Sequence, residues 1–572
     1  MNFINKFLKL LSKKQKFDAF VLLFLLLIGM LLEMISVSLI LPLISSIADY
    51  SNVNKNQYLG FIIRAFSTKT QTEFVILMML LLILIYFIKV VFLSYLTFRQ
   101  SKYTHDLSKN LSDRLYEGYL KMPYSFHLQN NSAHLLRNIS SEISIFTNLT
   151  QNLMLLQVNS AIVIGLASIL VVIEPKGTAL IFFLLGSVGF IFLKIVKKRL
   201  QFWGEKRQYH DGYRQQQMMQ GFSTIKDIKL LGKELYFATL FKKHNDSLFS
   251  TSSKVIVTQQ LPRLFFEFFA IVGLAFYIIV ISTSGKTMVS ALPILGFFVA
   301  SAFRLIPSLS TIIGSLQVIK YSKSSIILLS EEFDKINKNK LLPNKNKFVF
   351  ENEIQFINLS FNYFGTNNAI ISNLNFSVKK GQTIGIIGES GSGKSTLIDL
   401  LLGLLNPSSG SILVDSIDIN SNILGWQKLI GYVPQSINLL DDTIENNIAL
   451  GVEKQNIEKS KLTNAIVDAQ IENFISSLPE GLNTKVGERG VRLSGGQKQR
   501  IGIARSLYNN PSILVLDEAT SALDNNTENE VMKSITSLKG KKTIFIIAHR
   551  LSTIQNCDVV FNLKNGVLKE NN

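Results

Sequence analysis

The chain of 572 residues contains a single cysteine, Cys557. A single thiol excludes a disulfide within the chain and leaves no cysteine cluster that could hold a metal ion. We interpret the residue as a buried thiol near the end of a domain. Histidine is also rare, and of six histidines only His549 follows position 244. Histidine chemistry in the second half of the chain therefore has one candidate.

Acidic residues are few relative to basic ones, since 40 Asp and Glu against 59 Lys and Arg give a formal net charge of +19. A soluble protein of that charge would be a candidate for nucleic-acid binding. However, 47% of the residues are hydrophobic, and the mean hydropathy is +0.27. This composition indicates a membrane protein whose Lys and Arg lie in cytoplasmic loops, so no nucleic-acid partner is expected.

The N-terminal region lacks the small-residue cleavage site of a secretory signal peptide. Residues 1–16 carry five lysines beside apolar residues at near-helical spacing, which predicts a helix at the membrane interface. The apolar stretch that follows, 20–47, is too long for a signal peptide. We expect it to be the first transmembrane helix.

Five further apolar runs are long enough to cross a hydrocarbon core of about 30 Å. They lie near 72–98, 153–173, 177–196, 255–282 and 290–318. The long connections 99–150 and 197–252 are rich in Lys and Arg, whereas the other connections are short and carry few. By the positive-inside rule, the N-terminus, both long loops and the C-terminal half are expected in the cytoplasm.

Both long loops exceed what a connection between two spans requires. Their sequences are helix-compatible and contain few prolines, so we expect membrane helices that continue into the cytoplasm and return through a short transverse segment. These tips are predicted near 125–136 and 221–231, where they would couple mechanically to a cytoplasmic domain. A solvated helical hairpin without a partner is the alternative.

The connection after the first span contains an apolar stripe at helical spacing, formed by Leu59, Ile62, Ile63 and Phe66. This stripe predicts a short amphipathic helix on the outer side. The helix would lie on the outer leaflet or pack on the mouth of the bundle, and periodicity alone does not separate these two positions.

Three basic residues fall inside predicted spans: Lys89, Arg263 and Arg304. A charge at mid-membrane costs at least ~2.5–3.5 kcal/mol, so such residues usually serve a function. Counted along each helix, all three lie in the cytoplasmic half of the membrane, which favours a site for an anionic group. Alternatively, Lys89 reaches the interface and Arg263 pairs with Glu267 one turn along its helix. Glu33 is a further candidate counter-ion.

A lysine- and asparagine-rich segment follows the apolar spans. We expect a transmembrane domain over 1–330, a linker over 331–349 and a second domain over 350–572. In the second domain, short β-rich runs alternate with helical patterns, as in an α/β fold around a largely parallel sheet.

A glycine-rich segment stands between the apolar run 383–387 and a helical pattern. It consists of Gly388, Glu389, Ser390, Gly391, Ser392, Gly393, Lys394, Ser395 and Thr396. This is a P-loop, in which glycines let backbone N–H groups surround the phosphates of a nucleotide. Lys394 would neutralise the β/γ-phosphate charge, and the Ser395 hydroxyl can bind Mg²⁺. The following helix points its positive end at the anion.

A second apolar strand, 513–516, ends in two carboxylates, Asp517 and Glu518. Asp517 can enter the Mg²⁺ shell, and Glu518 can polarise the attacking water as a base. Another short motif precedes them, formed by Leu493, Ser494, Gly495, Gly496 and Gln497. In this order, the motifs resemble those of the ATP-binding cassette (ABC) transporters, and the last is similar to the signature that separates this family from other P-loop proteins.

The resemblance implies roles for further residues at a site for ATP and Mg²⁺. Ser494 and the glycines after it would bind the γ-phosphate, Tyr363 would stack on adenine, and Gln435 would sense the γ-phosphate beside the metal. Asp524 would belong to the D-loop. His549 would complete the catalytic set as the switch histidine.

The resemblance also implies an assembly. In this family two nucleotide domains meet head to tail around ATP, so one chain with six spans and one cassette is expected to be a half-transporter. A homodimer would have two competent sites, and a heterodimer stays open. The expected fold is a membrane α-helical bundle of six transmembrane helices, of the exporter type, fused to an α/β P-loop nucleotide-binding domain.

The membrane half is similar to the flippases that move lipid-linked oligosaccharides across the bacterial inner membrane for protein glycosylation. The resemblance lies in 303–308, in Arg263 with Glu267, in the basic residue at 89 and in the outer amphipathic helix. It implies a bacterial inner-membrane location, a cation-lined cavity for a pyrophosphate and its glycan, and an outer helix that engages the polyprenyl tail. The chain departs from the pattern at Thr311 and at Lys89, where those flippases carry arginines.

Two other function classes stay open. A less specific lipid or hydrophobic-drug exporter would use the same motor, respond to apolar compounds and not depend on Arg304. A nucleotide-gated channel or regulatory membrane protein would use the cassette as a switch. A degenerate Glu518 or signature would favour that second class, and both are intact.

Overall fold

The computed structural model describes residues 3–39, 43, 70–283, 288–338, 348–363, 365, 368–519, 525–548 and 551–570. The outer amphipathic helix predicted around Leu59 and Phe66 lies outside these residues. The chain forms two compact units. One contains Met1–Met122 and His127–Lys340, and the other contains Pro123–Phe126 and Leu341–Asn572.

The N-terminal 338 residues are helical wherever a regular element is described. The helices are α1 Phe3–Leu10, α2 Lys13–Ser38, α3 Gln71–Leu120, α4 Tyr124–Gln129, α5 Ser132–Arg137, α6 Ile143–Ile173, α7 Pro175–Ser223, α8 Ile225–Leu231, α9 Glu234–Thr283, α10 Met288–Tyr321 and α11 Lys323–Lys338. A π-helical turn, Asn138–Glu142, joins α5 to α6.

Six of the described helical segments are long and apolar enough to cross a membrane, which confirms the predicted number of spans. They contain α2, α3, α6, α7, α9 and α10. Helices α3 and α9 have 50 residues each and α7 has 49. At 1.5 Å per residue each measures roughly 75 Å, more than twice the hydrocarbon core. These helices therefore continue beyond the membrane, as we predicted from the length and the helix-compatible sequence of the two long loops.

Short helices stand where the long helices turn. Helices α4 and α5 lie at the first predicted tip, 125–136, and α8 lies at the second, 221–231. Helix α8 ends at Gly232, whose φ of 60° is the left-handed conformation that commonly closes a helix C-terminus. The expected transverse segments are helical, and their coupling role stays a prediction.

Helix α11 extends into the segment predicted as a linker. It ends at Lys338, so the expected linker start at 331 is too early. Ile326, Leu329 and Phe333 are buried on one face at helical spacing. The lysines of the last turn, among them Lys335, gave this segment the composition of a tether and hid the apolar stripe.

A buried ion cluster stabilises the part of this unit that extends from the spans. The Glu142 side chain is fully buried and accepts hydrogen bonds from both terminal nitrogens of Arg207, at 3.1 and 2.9 Å. Arg137 lies 3.7 Å from the same carboxylate, and Arg207 also donates to the Ser325 hydroxyl. The buried Glu142 carboxylate has no access to water, so it depends on these partners to stay ionised. Through Arg207 they join the π-turn to α7 and α11.

The second unit contains two sheets. Its strands are β1 Glu353–Phe361, β2 Ile371–Lys379, β3 Thr383–Ile387, β4 Ser409–Val414, β5 Ile417–Asp418, β6 Ile430–Val433, β7 Ile513–Asp517, β8 Thr543–Ile547, β9 Val559–Lys564 and β10 Val567–Glu570. One sheet has the order β2-β1-β4-β5 and is antiparallel. The other has the order β10-β9-β3-β8-β7-β6 and is parallel except for β10.

The parallel sheet confirms the α/β prediction, whereas the antiparallel sheet was not predicted. Strands β7 and β8 are buried at every position, as expected of continuous apolar strands in the middle of a parallel sheet. The cassette helices are α12 Lys394–Leu401, α13 Ile423–Gln427, α14 Ile444–Ile448, α15 Lys459–Asp468, α16 Glu472–Ser476, α17 Gly495–Leu507, α18 Asn525–Ser537 and α19 Leu551–Ile554. Since β3 and β7 run in the same direction, the segments that follow them meet at one edge.

Candidate functional site

The P-loop turns sharply between β3 and α12. Gly388, Gly391 and Gly393 have φ values of 158°, 82° and 104°, which residues with a Cβ atom rarely adopt. A Cβ at Gly388 would lie 2.4 Å from the carbonyl oxygen of Leu563. The Ser392 hydroxyl is buried in this loop without a hydrogen-bond partner. A phosphate oxygen would satisfy that hydroxyl, so the loop fits the anion that its sequence predicts.

Lys394 holds the P-loop from inside. Its ammonium donates hydrogen bonds of 2.9 Å to the carbonyl oxygens of Gly388 and Glu389. Burial lowers the pKa of the Lys394 side chain, while the nearby charges of Glu518 and Asp517 act in the opposite direction. The cation is therefore placed between the loop and the two carboxylates that follow β7, where a phosphate charge can replace its carbonyl partners.

Asp517 and Glu518 stand together at the end of β7. Burial, followed by the charge of Glu518, raises the pKa of the Asp517 carboxyl, and the Tyr432 hydroxyl lies 3.4 Å from its Oδ2 atom. Glu518 has a φ of 49°, and its Oε2 atom accepts a 2.6 Å hydrogen bond from Nε2 of Gln435. Three of the predicted residues thus meet beside Lys394.

The donor set at this edge fits Mg²⁺. Asp517 offers carboxylate oxygens, Ser395 offers an exposed hydroxyl at the start of α12, and Gln435 offers an amide oxygen. Hard oxygen donors of this kind, completed by phosphate oxygens and water, are what Mg²⁺ prefers in proteins. A bound dication would also relieve the repulsion between the neighbouring carboxylates.

Tyr363 lies beside the first turn of α12. Its hydroxyl is 3.2 Å from the Thr396 hydroxyl, and its ring packs edge-on against Phe361 at 5.1 Å between centroids. The side chain keeps 37% of its surface exposed. An aromatic face therefore remains available next to the P-loop for a planar base.

The signature residues begin α17. Ser494 is the N-cap, and its hydroxyl accepts from the backbone N–H of Gln497 at 3.3 Å. The Gln497 side chain in turn accepts from the Ser494 N–H at 2.9 Å. This capping box exposes the first backbone N–H groups of α17, at Gly495 and Gly496, in a position suited to an anion. Asp524 and His549 lie outside the residues that the structure describes.

Two residues near the phosphate site were missed in the sequence. Tyr432 contacts Asp517 from the neighbouring strand, as given above. Asp399 lies one turn along α12, and burial together with the charge of Asp517 raises its pKa to about 6. Tyr432 carries no local sequence signal, because its contact with Asp517 depends on the pairing of β6 with β7. Nothing local marks Asp399, whose polar character in an apolar helix resembles many surface positions.

The structure brings together two of the three membrane cations. Lys89 Nζ lies 3.1 Å from Oε1 of Glu33, and Arg304 Nε lies 2.8 Å from the same oxygen. Arg263 instead pairs with Glu267 one turn along α9, at 2.7 Å, and both side chains are exposed. Glu33 was expected only as a counter-ion, and its position between two cations from different helices was not predicted.

Comparison with known proteins identifies the family. The family model described as "ABC transporter transmembrane region" matches residues 20–308, which is half of the chain. The model described as "ABC transporter" matches residues 371–521, which include the P-loop, the signature and the two carboxylates after β7. The chain belongs to the ABC transporter family. Among proteins of known structure, this ABC transporter resembles a bacterial Atm1-family ABC exporter with ATP bound, with a TM-score of 0.77 and 24% identity over 97% of this chain and 94% of that one.

Relatives of this ABC transporter cover both of its units. It is 30% identical to the ATP-dependent lipid A-core flippase of Coxiella burnetii over 465 residues, which are 80% of this chain and 77% of that protein. It is 29% identical to the flippase of the same description from Idiomarina loihiensis over 468 residues, 80% and 79% of the two chains.

These matches confirm the predicted fold, activity and cofactors. The ABC transporter is an integral membrane protein of exporter-type fold that hydrolyses ATP with Mg²⁺ to drive transport. The matches therefore favour an ATP-hydrolysing transporter over a nucleotide-gated channel or regulatory protein.

Proposed function

We propose that this ABC transporter moves a polyprenyl-pyrophosphate-linked oligosaccharide from the inner to the outer leaflet of the bacterial inner membrane. One observation carries the proposal. Lys89 and Arg304, from different spanning helices, meet at one buried carboxylate and leave the group with more positive than negative charge. Cations are costly in the membrane and are retained where an anion has to be bound, and a pyrophosphate headgroup supplies such an anion.

The motor follows from the phosphate site. Lys394 and the P-loop glycines bind the phosphates, Tyr363 stacks on adenine, and Asp517 with Ser395 and Gln435 holds Mg²⁺. Glu518 accepts the proton of the attacking water, with His549 as the switch residue and Asp524 in the D-loop. Gln435 is well placed to report on the γ-phosphate because its side chain already bonds the proposed base.

A second copy of this chain completes the transporter in this proposal. The P-loop of one chain and the signature of the other, Ser494, Gly495, Gly496 and Gln497, would enclose each ATP. The tip between α7 and α9 supports a partner, since four of its large apolar side chains are strongly exposed. They are Phe222, Leu230, Leu231 and Leu235. Contiguous exposed apolar residues of this size usually mark an interface, and a cytoplasmic tip of this kind would carry the motion of the cassette to the spans.

A lipid A-core cargo is the second candidate, favoured by the two ATP-dependent lipid A-core flippases that are about 30% identical to this chain. Both candidates are anionic glycolipids too large for a narrow channel, so they share the need for a cationic site in the membrane. Arg263, whose charge Glu267 offsets, would contact the headgroup or glycan at the edge of this site.

The experiment that tests the proposal measures stimulation of ATP hydrolysis by lipids in nanodiscs. We expect a polyprenyl-pyrophosphate oligosaccharide to stimulate wild type, and Arg304→Gln to raise the half-saturating concentration roughly 10- to 150-fold, as loss of a charged hydrogen bond implies. Arg263→Gln should have a smaller effect because Glu267 offsets the whole charge of Arg263, whereas Arg304 shares Glu33 with Lys89. Stimulation by apolar dyes with no response to Arg304→Gln would favour the less specific exporter. A response to lipid A-core alone would favour the second candidate.

A further inference from the structure

Glu33 is the point at which three spanning helices share charge. It lies on α2 with its side chain 4% exposed. Lys89 from α3 and Arg304 from α10 both approach its Oε1 atom, at 3.1 and 2.8 Å. Lys89 also donates to the Ser36 hydroxyl at 3.3 Å. One carboxylate oxygen therefore holds two cations that would otherwise repel each other.

The charges of this cluster do not balance. Among the described residues, two cations and one carboxylate leave this cluster with a net charge of +1. The Nε atom of Arg304 is buried and lies close to the Glu33 carboxylate. Its N–H group nevertheless does not point at the carboxylate oxygen in a way that forms a hydrogen bond. The guanidinium therefore keeps donor capacity that Glu33 does not use. The Arg304 side chain is 39% exposed, so a further anion can reach these donors.

The Arg263–Glu267 pair provides a contrast within the same bundle. Its two charges cancel, both residues belong to α9, and both side chains are exposed. An anion that bound there would alter no connection between helices. By contrast, an anion that replaced Glu33 would break the two ion pairs that join α2 to α3 and α10.

We propose that Glu33 is a displaceable counter-ion, which occupies the two cations in the unloaded transporter and gives way to a headgroup that carries two negative charges. This inference rests on the proposed function. A phosphodiester lipid with one charge balances the cluster while Glu33 stays in place. A pyrophosphate headgroup matches both cations and competes with the carboxylate, so Glu33 lowers the affinity for every anion and makes its own displacement depend on the second charge.

The test compares Glu33→Gln with wild type in phosphatidylcholine nanodiscs. Undecaprenyl pyrophosphate, a diphosphate monoester with at least two negative charges at neutral pH, is the multiply charged probe, and phosphatidylglycerol is the singly charged one. The dissociation constant of each is measured. Removal of the competing carboxylate should tighten binding of undecaprenyl pyrophosphate about tenfold, because Lys89 and Arg304 no longer have to be separated from Glu33 before the lipid binds. It should also tighten the binding of phosphatidylglycerol. Glu117→Gln is the matched control. It removes an exposed carboxylate of α3 that lies roughly 40 Å along the helix from Lys89, and it should change either constant less than twofold.

Stability is measured in parallel because Gln leaves two cations close together. If Glu33→Gln unfolds more readily, the pyrophosphate lipid should raise its unfolding temperature more than that of wild type. Glu33→Asp, which keeps the charge on a shorter side chain, should tighten binding by a smaller factor. Binding to wild type that is unchanged or weakened in Glu33→Gln and Glu33→Asp would overturn the inference and leave the proposed function in place. Absence of binding to wild type and both variants would overturn the proposed function together with the inference.

Discussion

Replacement of Glu518 by Gln isolates the proposed base, because it removes a negative charge and keeps the shape of the side chain. The Oε2 atom of Glu518 accepts a 2.6 Å hydrogen bond from Gln435, and the amide oxygen of a glutamine would accept the same bond. The backbone at this position, with a φ of 49°, is no harder for glutamine to adopt than for glutamate. We therefore expect the variant to fold like wild type.

The size of the effect follows from what the variant keeps. A general base typically contributes 10²–10⁴-fold to a rate, which is about 2.7–5.4 kcal/mol of barrier at 1.36 kcal/mol per tenfold. Lys394 and the P-loop are untouched, and Asp517 still offers its carboxylate to Mg²⁺. Loss of one negative charge beside the phosphates removes a repulsion. The dissociation constant for ATP should therefore stay the same or fall, while kcat falls about 100- to 10,000-fold.

Two assays on the same nanodisc preparation check this expectation. Phosphate release gives kcat, and titration with a fluorescent ATP analogue gives the dissociation constant. Glu472→Gln, an exposed carboxylate at the start of α16, should hydrolyse ATP at the wild-type rate. If Glu518→Gln hydrolyses ATP within tenfold of wild type, Glu518 is not the base. If Glu518→Gln no longer binds ATP, the substitution does more than exchange one acceptor of the Gln435 hydrogen bond for another, and the expectation that ATP binding is preserved is wrong.

Three further predictions concern charge and burial. Lys394→Ala should weaken ATP binding roughly 10- to 150-fold in the same titration, as loss of a charged hydrogen bond implies, and an unchanged constant would argue against its contact with phosphate. Glu142→Gln leaves Arg207 without its buried counter-ion and should lower the free energy of unfolding by about 3–5 kcal/mol. The thermal unfolding midpoint of this variant should fall, whereas Glu458→Gln, which breaks an exposed pair, should leave the midpoint unchanged. Burial raises the pKa of the Cys557 thiol to about 11, so about one thiol in a thousand is ionised at pH 8; maleimide should label the native protein far more slowly than the unfolded chain, and equal rates would contradict the burial of this thiol.

The cassette could be predicted well because its motifs are local and each has a backbone requirement. Only glycine fits at Gly388, and the two carboxylates stand at the end of a buried strand whose first four residues are apolar, so spacing and composition were enough to predict a P-loop fold. Spans were equally clear, because hydrophobic length depends on the bilayer rather than on packing. The assigned roles of individual side chains stay predictions.

Contacts between distant segments could not be predicted in this way. Tyr432 faces Asp517 only because β6 pairs with β7 in a particular register, and Glu33 meets Arg304 only because α2 packs near α10. The antiparallel sheet was missed because its strands are partly exposed and their alternation is interrupted by irregular pairing. The part of α11 after residue 330 was predicted as linker because its lysines outweighed the apolar residues that are buried on one face of the helix.

The central claim is ATP-driven movement of a polyprenyl-pyrophosphate oligosaccharide between leaflets. The most direct measurement reconstitutes the transporter in liposomes that contain this lipid, adds ATP and Mg²⁺ to outward-facing cassettes, and follows protection of the glycan from an external glycosidase. The proposal predicts ATP-dependent protection with wild type and none with Glu518→Gln. Absence of protection with wild type, while the same vesicles transport an apolar dye, would contradict it.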